Sequence, residues 1–311
     1  GIRPLVLGKL PNDAGWCVAS ETCAFDILGA EFVREVEPGE VLRINAEGLV
    51  SERAVAPRKK ALCIFEHVYF ARPDSVMDGA TVQSMRVKMG ERLACESAVE
   101  ADLVIGVPDS GLPGAEGFSR ASGIPCRTGF VKNRYVGRTF IQPTQEMREL
   151  GVRLKLNPLR ETIEGKRVVV VDDSIVRGTT SKQIVRMLRE AGATEVHMRI
   201  VSPEVKWPCF YGIDTDTQDQ LISARKTPEE VCEWIGADSL AFLSVEGLLS
   251  CVPEGGYCCS CFDGAYPVEI PAVFSQGKFL DGYTPNNLTK ASANSHRSVS
   301  DVAREIEKEY E

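Results

Sequence analysis

Residues 168–192 read VVVVDDSIVRGTTSKQIVRMLREAG, and the succession of residue types in them decides the fold class. Four consecutive valines follow Lys166 and Arg167. A short β-branched run of that length reads as a strand covered on both faces, as in a parallel sheet. At the far end Ile184, Met187, Leu188 and Ala191 fall at i, i+3, i+4 and i+7, the spacing of a helix with one apolar face. Gly192 stands where such a helix would be capped. Strand, loop and helix make half of a βαβ unit. The loop, residues 172–181, lies at the carboxyl end of a parallel strand, where open α/β sheets bind ligands. Gly178 allows a tight turn. Thr179, Thr180 and Ser181 place hydroxyls at a helix N-terminus whose free N–H groups suit a phosphate. Asp172 and Asp173 repel a phosphate; they suit hydroxyl groups or a hard cation such as Mg2+. A ribose 5-phosphate would satisfy the whole loop.

The rest of the chain is read outward from that unit. Its 311 residues allow two domains or one large one. A net charge of −8 argues against a general nucleic-acid binder, and no apolar run approaches the ~18–20 residues of a membrane span. No signal peptide is visible. The chain begins at Gly1 without Met, so its start reads as processed or truncated. Eleven cysteines without the regular spacing of a small disulfide scaffold favour a reducing compartment, the cytoplasm.

Residues 1–55 contain two short β-like runs, Pro4 to Leu7 and Glu40 to Ile44, and a short helix capped by Ser20; they look like the end of a β-domain. Residues 56–60, APRKK, read as a linker. From Ala61 strands alternate with helices. Val82, Met85, Met89 and Leu93 mark an amphipathic helix, ADLVIGVPDSG a strand ending in a polar glycine loop, and Glu195 to Ser202 a further strand. Thr227, Pro228 and Glu230 form a capping-box start. LAFLSV is a last strand. Residues 273–297 are polar and rich in Pro, Asn and Ser, and a charged helix, Val299 to Tyr310, closes the chain.

VVVDDSIVRGTTS resembles the phosphoribosyl-pyrophosphate (PRPP) signature of type I phosphoribosyltransferases. CIFEHVYFARPDS, GVPDSG, KNRYVGRTFIQPTQ and PCFYGIDT narrow the resemblance to the glutamine PRPP amidotransferase family. GIRPLVLGK and ASETCAFDILGAEFVREVEPGE resemble the last part of that family's N-terminal, Ntn-hydrolase-type glutaminase domain. The resemblance runs through roughly residues 1–270. It implies an α/β type I phosphoribosyltransferase fold over 56–250, preceded by a glutaminase remnant, 1–55, and followed by a cluster-binding segment and polar tail, 251–311. The implied reaction displaces pyrophosphate from PRPP with ammonia, as the first step of purine synthesis. The family's N-terminal cysteine nucleophile is absent, since residue 1 is Gly. The expectation is therefore a fragment of a longer product, or one chain of a split enzyme, without glutaminase activity. A homotetramer and feedback by purine nucleotides, with Lys132 and the pocket as candidate contacts, are further implications.

The resemblance assigns Asp172 and Asp173 to the ribose hydroxyls and Mg2+, and Gly178, Thr179, Thr180 and Ser181 to the 5-phosphate. Ser110 and Gly111 in VPDSG fall in the pyrophosphate loop, with Ser110 a Mg2+ contact. Read alone, PDSG is an ordinary turn, DD a solvated acidic turn, and TTS a helix cap. Lys132, Arg134 and Arg138, with Gly137, form a basic segment read as a lid that excludes water; otherwise it is a solvated loop. In one branch of the family four cysteines hold a 4Fe–4S cluster, and Cys63, Cys209, Cys258 and Cys261 match them. Cys251 and Cys259 compete for the assignment, and a single CxxC is weak evidence. The segment EGGYCCSCFDG has few large apolar residues, so without a cluster the chain from Cys251 onward is expected to loosen first. Cys95, Cys126 and Cys232 read as packing residues, and His67, His197 and His296 carry no assigned chemistry. Two other readings are a non-catalytic regulator on the same fold and a purine-salvage transferase. The basic lid argues against the first, and the matching segments outside the PRPP loop against the second.

Overall fold

The structure, a computed structural model, describes residues 1–56, 59–133, 135, 155–213, 215, 217–271, 278–279 and 288–289. In the N-terminal part β1 (Val6–Lys9) pairs antiparallel with both β2 (Trp16–Ala19) and β3 (Glu31–Glu35), and α1 (Cys23–Leu28) connects β2 to β3. Phe25 of α1 is buried against Gly8, where a Cβ would come within 2.9 Å of its ring. A hairpin of β4 (Glu40–Asn45) and β5 (Gly48–Arg53) follows. The residue preceding α1 is Thr22, not Ser20, and its hydroxyl does not cap the helix. It accepts instead from the Val76 amide, while Glu21 accepts from the Arg72 amide and the Ser75 hydroxyl. Polar groups suited to capping thus tie α1 to the turn at 72–76.

Beyond β6 (Leu62–Cys63), α2 (Val82–Glu96) is capped by Thr81, whose hydroxyl accepts from the Ser84 amide at 3.2 Å. Its apolar residues Val82, Met85, Met89 and Leu93 are all buried, as their spacing requires. Then come β7 (Leu103–Gly106), α3 (Gly111–Ser122), and the antiparallel pair β8 (Phe130–Lys132) and β9 (Leu156–Pro158). The valine run forms β10 (Arg167–Asp172), followed by α4 (Thr179–Glu190) and β11 (Glu195–Ile200). Gly192 adopts φ +96 two residues beyond the end of α4. The capping box foreseen at Thr227 and Glu230 opens α5 (Pro228–Ile235), which leads to β12 (Ser239–Phe242), α6 (Val245–Ser250) and β13 (Tyr257–Cys258).

The central sheet is parallel with strand order β12-β11-β10-β7. Alternate valines serve opposite faces, as a strand's two-residue period dictates. Val168 and Val170 join Leu103, Ile105, Ile184, Leu188, Met198 and Ile235 on one side. Val169 and Val171 join Val104, Phe118, Met85, Met89, Leu93 and Val201 on the other. On that second face α2 and α3 touch backbone to backbone. A Cβ on Gly90 would lie 1.9 Å from the Gly114 carbonyl oxygen, and one on Gly117 the same distance from that of Val87.

Two features of the thiol-bearing region depend on tertiary contacts. Strand β6 lies outside the central sheet and pairs in parallel with β13, setting Cys63 opposite Cys258. The segment from Cys251 does carry its own docking surface: Cys251, Val252, Cys259 and Phe262 are buried in the same cluster as α2. Residues 273–277 and 299–310, read from sequence as a polar stretch and a helix, lie outside the described residues.

Candidate functional site

The carboxyl ends of β7 and β10 carry two loops that meet. The Val107 amide donates to the Val171 carbonyl at 2.9 Å, holding the loops side by side. The Pro108–Asp109 peptide is cis. Ser110 precedes α3 without capping it; its hydroxyl donates to Asp173 Oδ2 at 2.5 Å. Ser174 donates to the other oxygen of that carboxylate at 2.5 Å, and the Asp173 amide donates to Asp172 Oδ1 at 2.9 Å. Both aspartates are buried, which excludes a solvated acidic turn. Burial pushes both carboxyls above the ordinary range, Asp172 strongly so with the neighbouring Asp173 charge adding to it, while the hydroxyls of Ser110 and Ser174 and the charge of Arg86 partly offset the effect at Asp173. Gly111 is required by proximity: a Cβ there would stand 2.5 Å from the Val171 carbonyl oxygen. Lys132, at the end of β8, reaches across to an ion pair with Asp109 in the first loop.

The second half of the loop turns at Gly178, which has φ +75 and opens α4 with no side-chain cap. The simple-cap reading of Thr179, Thr180 and Ser181 therefore fails. Thr179 and Thr180 are exposed beside the first amides of the helix, while Ser181 is buried. Dipole and free N–H groups at such an end favour an anion. The loop is braced from behind, where the Ile222 amide donates to the Val176 carbonyl at 2.9 Å. An acidic, hydroxyl-rich floor and an anion-favouring helix end are thus brought to one edge of the sheet, together with Lys132.

Comparison with known proteins bears on this geometry. Residues 92–202 match the phosphoribosyl transferase domain family. Over 283 residues the chain is 58% identical to the amidophosphoribosyltransferase of Synechocystis sp., covering 90% of this chain and 57% of that one. Over 276 residues it is 57% identical to that of Bacillus subtilis, covering 87% and 58%. The chain belongs to the amidophosphoribosyltransferase family. A solved structure described as the allosteric regulatory enzyme of purine biosynthesis superposes with TM-score 0.79 at 54% identity, over 92% of this chain and 60% of that one. Another, glutamine PRPP amidotransferase from B. subtilis complexed with ADP and GMP, gives TM-score 0.78 at 56% identity, over 86% and 60%. The chain thus spans less than two thirds of each of these relatives. Its parallel sheet with flanking helices is the type I phosphoribosyltransferase fold.

In this amidophosphoribosyltransferase family member the cysteines sort into two groups. Cys63, Cys258 and Cys259 are buried and Cys209 and Cys261 half-buried. Burial pushes the Cys261 thiol well above its ordinary value, with smaller contributions from Cys63, Cys258, Cys209 and Cys259. Burial pushes the Cys63 thiol to about 11 and Cys259 to about 12. Among the described residues no three His, Cys, Asp or Glu side chains stand close enough to hold a single metal ion. Cys63 and Cys259 both belong to the hydrophobic core cluster, and Cys261 packs against it. The packing role read for Cys95 and Cys126 is corrected: both are exposed. Cys232 is half-buried, its thiol donating to the Ala237 carbonyl. Arg134 and Arg138, with Gly137, lie outside the described residues.

Sequence reasoning missed two buried groups near the site. Arg86 is 2% exposed; its Nε and Nη2 donate to the carbonyls of His67 and Ala71, each at 2.8 Å. It sits among the buried positions of α2, where helical periodicity expects an apolar residue, and that mismatch was the available signal. His67 is fully buried, with neither ring nitrogen partnered among the described residues, and burial pushes it down to about 4. His197 bonds to Ser239 and Glu195.

Proposed function

We propose that this chain carries the phosphoribosyl-transfer chemistry of an amidophosphoribosyltransferase: ammonia, supplied from glutamine in the complete enzyme, attacks C1 of PRPP and pyrophosphate leaves. The single observation that supports this most is the bond between Ser110 and Asp173. It joins the candidate pyrophosphate loop to the candidate ribose loop at the carboxyl edge of the sheet, so one ligand can span both.

In this reading Asp172 and Asp173 accept hydrogen bonds from the ribose hydroxyls. The first amides of α4, with Thr179, Thr180 and Ser181, hold the 5-phosphate. The amides of the loop ending at Gly111 receive the pyrophosphate, and Lys132 leaves Asp109 for it. These groups fix the sugar while the C1–O bond breaks and positive charge grows on the ring. Arg138 completes the cationic set in the lid that excludes water. The donor set also fits a magnesium ion, which takes one or two carboxylates together with substrate phosphates. Two buried carboxylates with one fixed cation nearby are a poor arrangement without it. Asp172, Asp173 and Ser110 would hold that ion, whose charge would neutralise the leaving pyrophosphate.

Residues 1–55 serve in this reading as the terminal part of a glutaminase domain, 56–250 as the transferase and 251–311 as a thiol-bearing segment and tail. Cys63, Cys209, Cys258 and Cys261 would hold a 4Fe–4S cluster, structural because the reaction moves no electrons. Four soft donors gathered from three segments support this. A homotetramer in the cytoplasm with purine-nucleotide feedback completes the proposal. The test is pyrophosphate release from PRPP with ammonium chloride as amine source. Release that depends on ammonium is expected; PRPP binding without release would favour the regulator.

A further inference from the structure

The back of the phosphate cradle is built by a part of the chain remote from the signature motif. A Cβ on Gly178 would come within 2.8 Å of Trp234 Cζ3 and 2.9 Å of Ile222 Cδ1. The indole therefore presses on the residue whose φ of +75 turns the loop into α4. Trp234 is in turn held from outside. Lys182, one helical turn beyond Gly178 and on the same side of α4, sets its Nζ 4.6 Å from the indole centroid, within the range of a cation–π contact. The helix bearing Trp234 is anchored at both ends. Its start carries the Thr227–Glu230 capping box, and its buried face, Val231 and Ile235, joins the central core. Beyond its end the Asp238 amide donates to the Val196 carbonyl of the sheet.

We infer that Trp234, clamped by Lys182, is a positioning residue for the phosphate cradle. It holds the Gly178 turn in the conformation that aims the first amides of α4 at the 5-phosphate. This deepens the proposed function and rests on its reading of residues 178–181. A wall of this kind acts on the cradle without touching the ligand. Its removal lets the glycine turn, which no side chain of its own stiffens, leave the left-handed region. The loss falls on phosphate affinity rather than on the chemistry at C1.

The experiment uses the whole chain in a Trp16→Phe, Trp207→Phe background, so that Trp234 alone reports, since the chain has three tryptophans. Ribose 5-phosphate and inorganic phosphate are titrated and fluorescence followed, and steady-state rates are measured with PRPP and ammonium. Saturable quenching or shift of Trp234 by both ligands is expected. In the otherwise native chain, Trp234→Ala should raise KM for PRPP about tenfold with kcat little changed, a displacement effect well short of the ~100-fold that 1 Å of misplacement costs. Trp234→Phe should restore most of the affinity, and Lys182→Gln should give a smaller rise that vanishes in the Trp234→Ala background. A wild-type KM in Trp234→Ala, with no fluorescence response in the single-tryptophan protein, overturns the inference while leaving the proposed function standing. No binding of PRPP or ribose 5-phosphate by the unaltered chain overturns the proposed function instead. If Trp234→Ala does not fold, the Lys182→Gln affinity and the fluorescence titration decide.

Discussion

Replacing Gly111 by alanine probes how tightly the two ligand loops are built against each other. The added Cβ would lie 2.5 Å from the Val171 carbonyl oxygen and 3.3 Å from Asp172 Cα, and real Cβ contacts do not fall under 3.0 Å. The start of α3 must therefore retreat from the end of β10 by about half an ångström or more. The neighbour is strand backbone in the middle of a parallel sheet and does not yield. Overpacking of this kind costs about 1–3 kcal/mol, and in a domain of this size each kcal/mol lowers Tm by about 2–4 °C. The retreat also carries Ser110 away from Asp173, and half of the ~1 Å displacement that costs ~100-fold corresponds to about tenfold in kcat/KM for PRPP. Gly117→Ala is the control. Its Cβ would meet the Val87 carbonyl oxygen at 1.9 Å, a worse clash located between α2 and α3 and away from the loops. Calorimetry and ammonium-dependent pyrophosphate release, normalised to folded protein, separate the two. Gly117→Ala should lose more Tm and less specific activity than Gly111→Ala. Wild-type kcat/KM in Gly111→Ala, or an equal loss per folded molecule in both, would refute the reasoning.

Three further outcomes follow from named groups. Asp172→Asn with Asp173→Asn should abolish ammonia-dependent turnover and leave the fold intact. Both carboxyls are raised by burial, so their contribution to stability is present below the ordinary value of 3.8 and lost as pH rises through the folded values. Without added Mg2+ the double variant should thus be the more stable protein at pH 7 in urea melts, and equal midpoints would argue against the burial assigned to the pair. His67 has the opposite sign: folded at about 4 against 6.5 ordinarily, it stabilises above pH 6.5 and loses that contribution as pH falls toward 4. His67→Gln should flatten the urea-midpoint slope over that window, and an unchanged slope would remove His67 as its source. Anaerobic reconstitution should give about four irons per chain, one at each thiolate, lost in Cys209→Ser and kept in Cys259→Ser. No iron in the wild-type chain, or loss in Cys259→Ser with retention in Cys258→Ser, would show that the wrong thiols were chosen.

The sequence by itself determined the elements that depend on local pattern. A run of β-branched residues, an apolar spacing near the helical turn of about 3.6 residues and a Thr-Pro-x-Glu start each impose their conformation through neighbours in the chain. The valine strand, α2, α4 and the capping box were legible for that reason. So was the anion-favouring loop, because glycine, hydroxyls and a helix start occur there within ten residues. Tertiary structure decided what distant segments do to one another. That Ser110 spends its hydroxyl on Asp173 instead of a helix cap depends on β7 lying beside β10. That α1 begins after Thr22 depends on the turn at 72–76 taking up Glu21 and Thr22. Burial of Arg86 and His67 ran against their residue type, and no local pattern encodes an exception of that kind. The docking of Cys251 to Phe262 was invisible because its few apolar groups gain their burial from α2, far away in sequence. Trp234, half-buried on a helix recognisable from its cap, gave no sign that it walls a glycine more than fifty residues earlier. Short-range pattern is fixed by sterics along the chain, whereas these contacts exist only once the sheet has closed the distance.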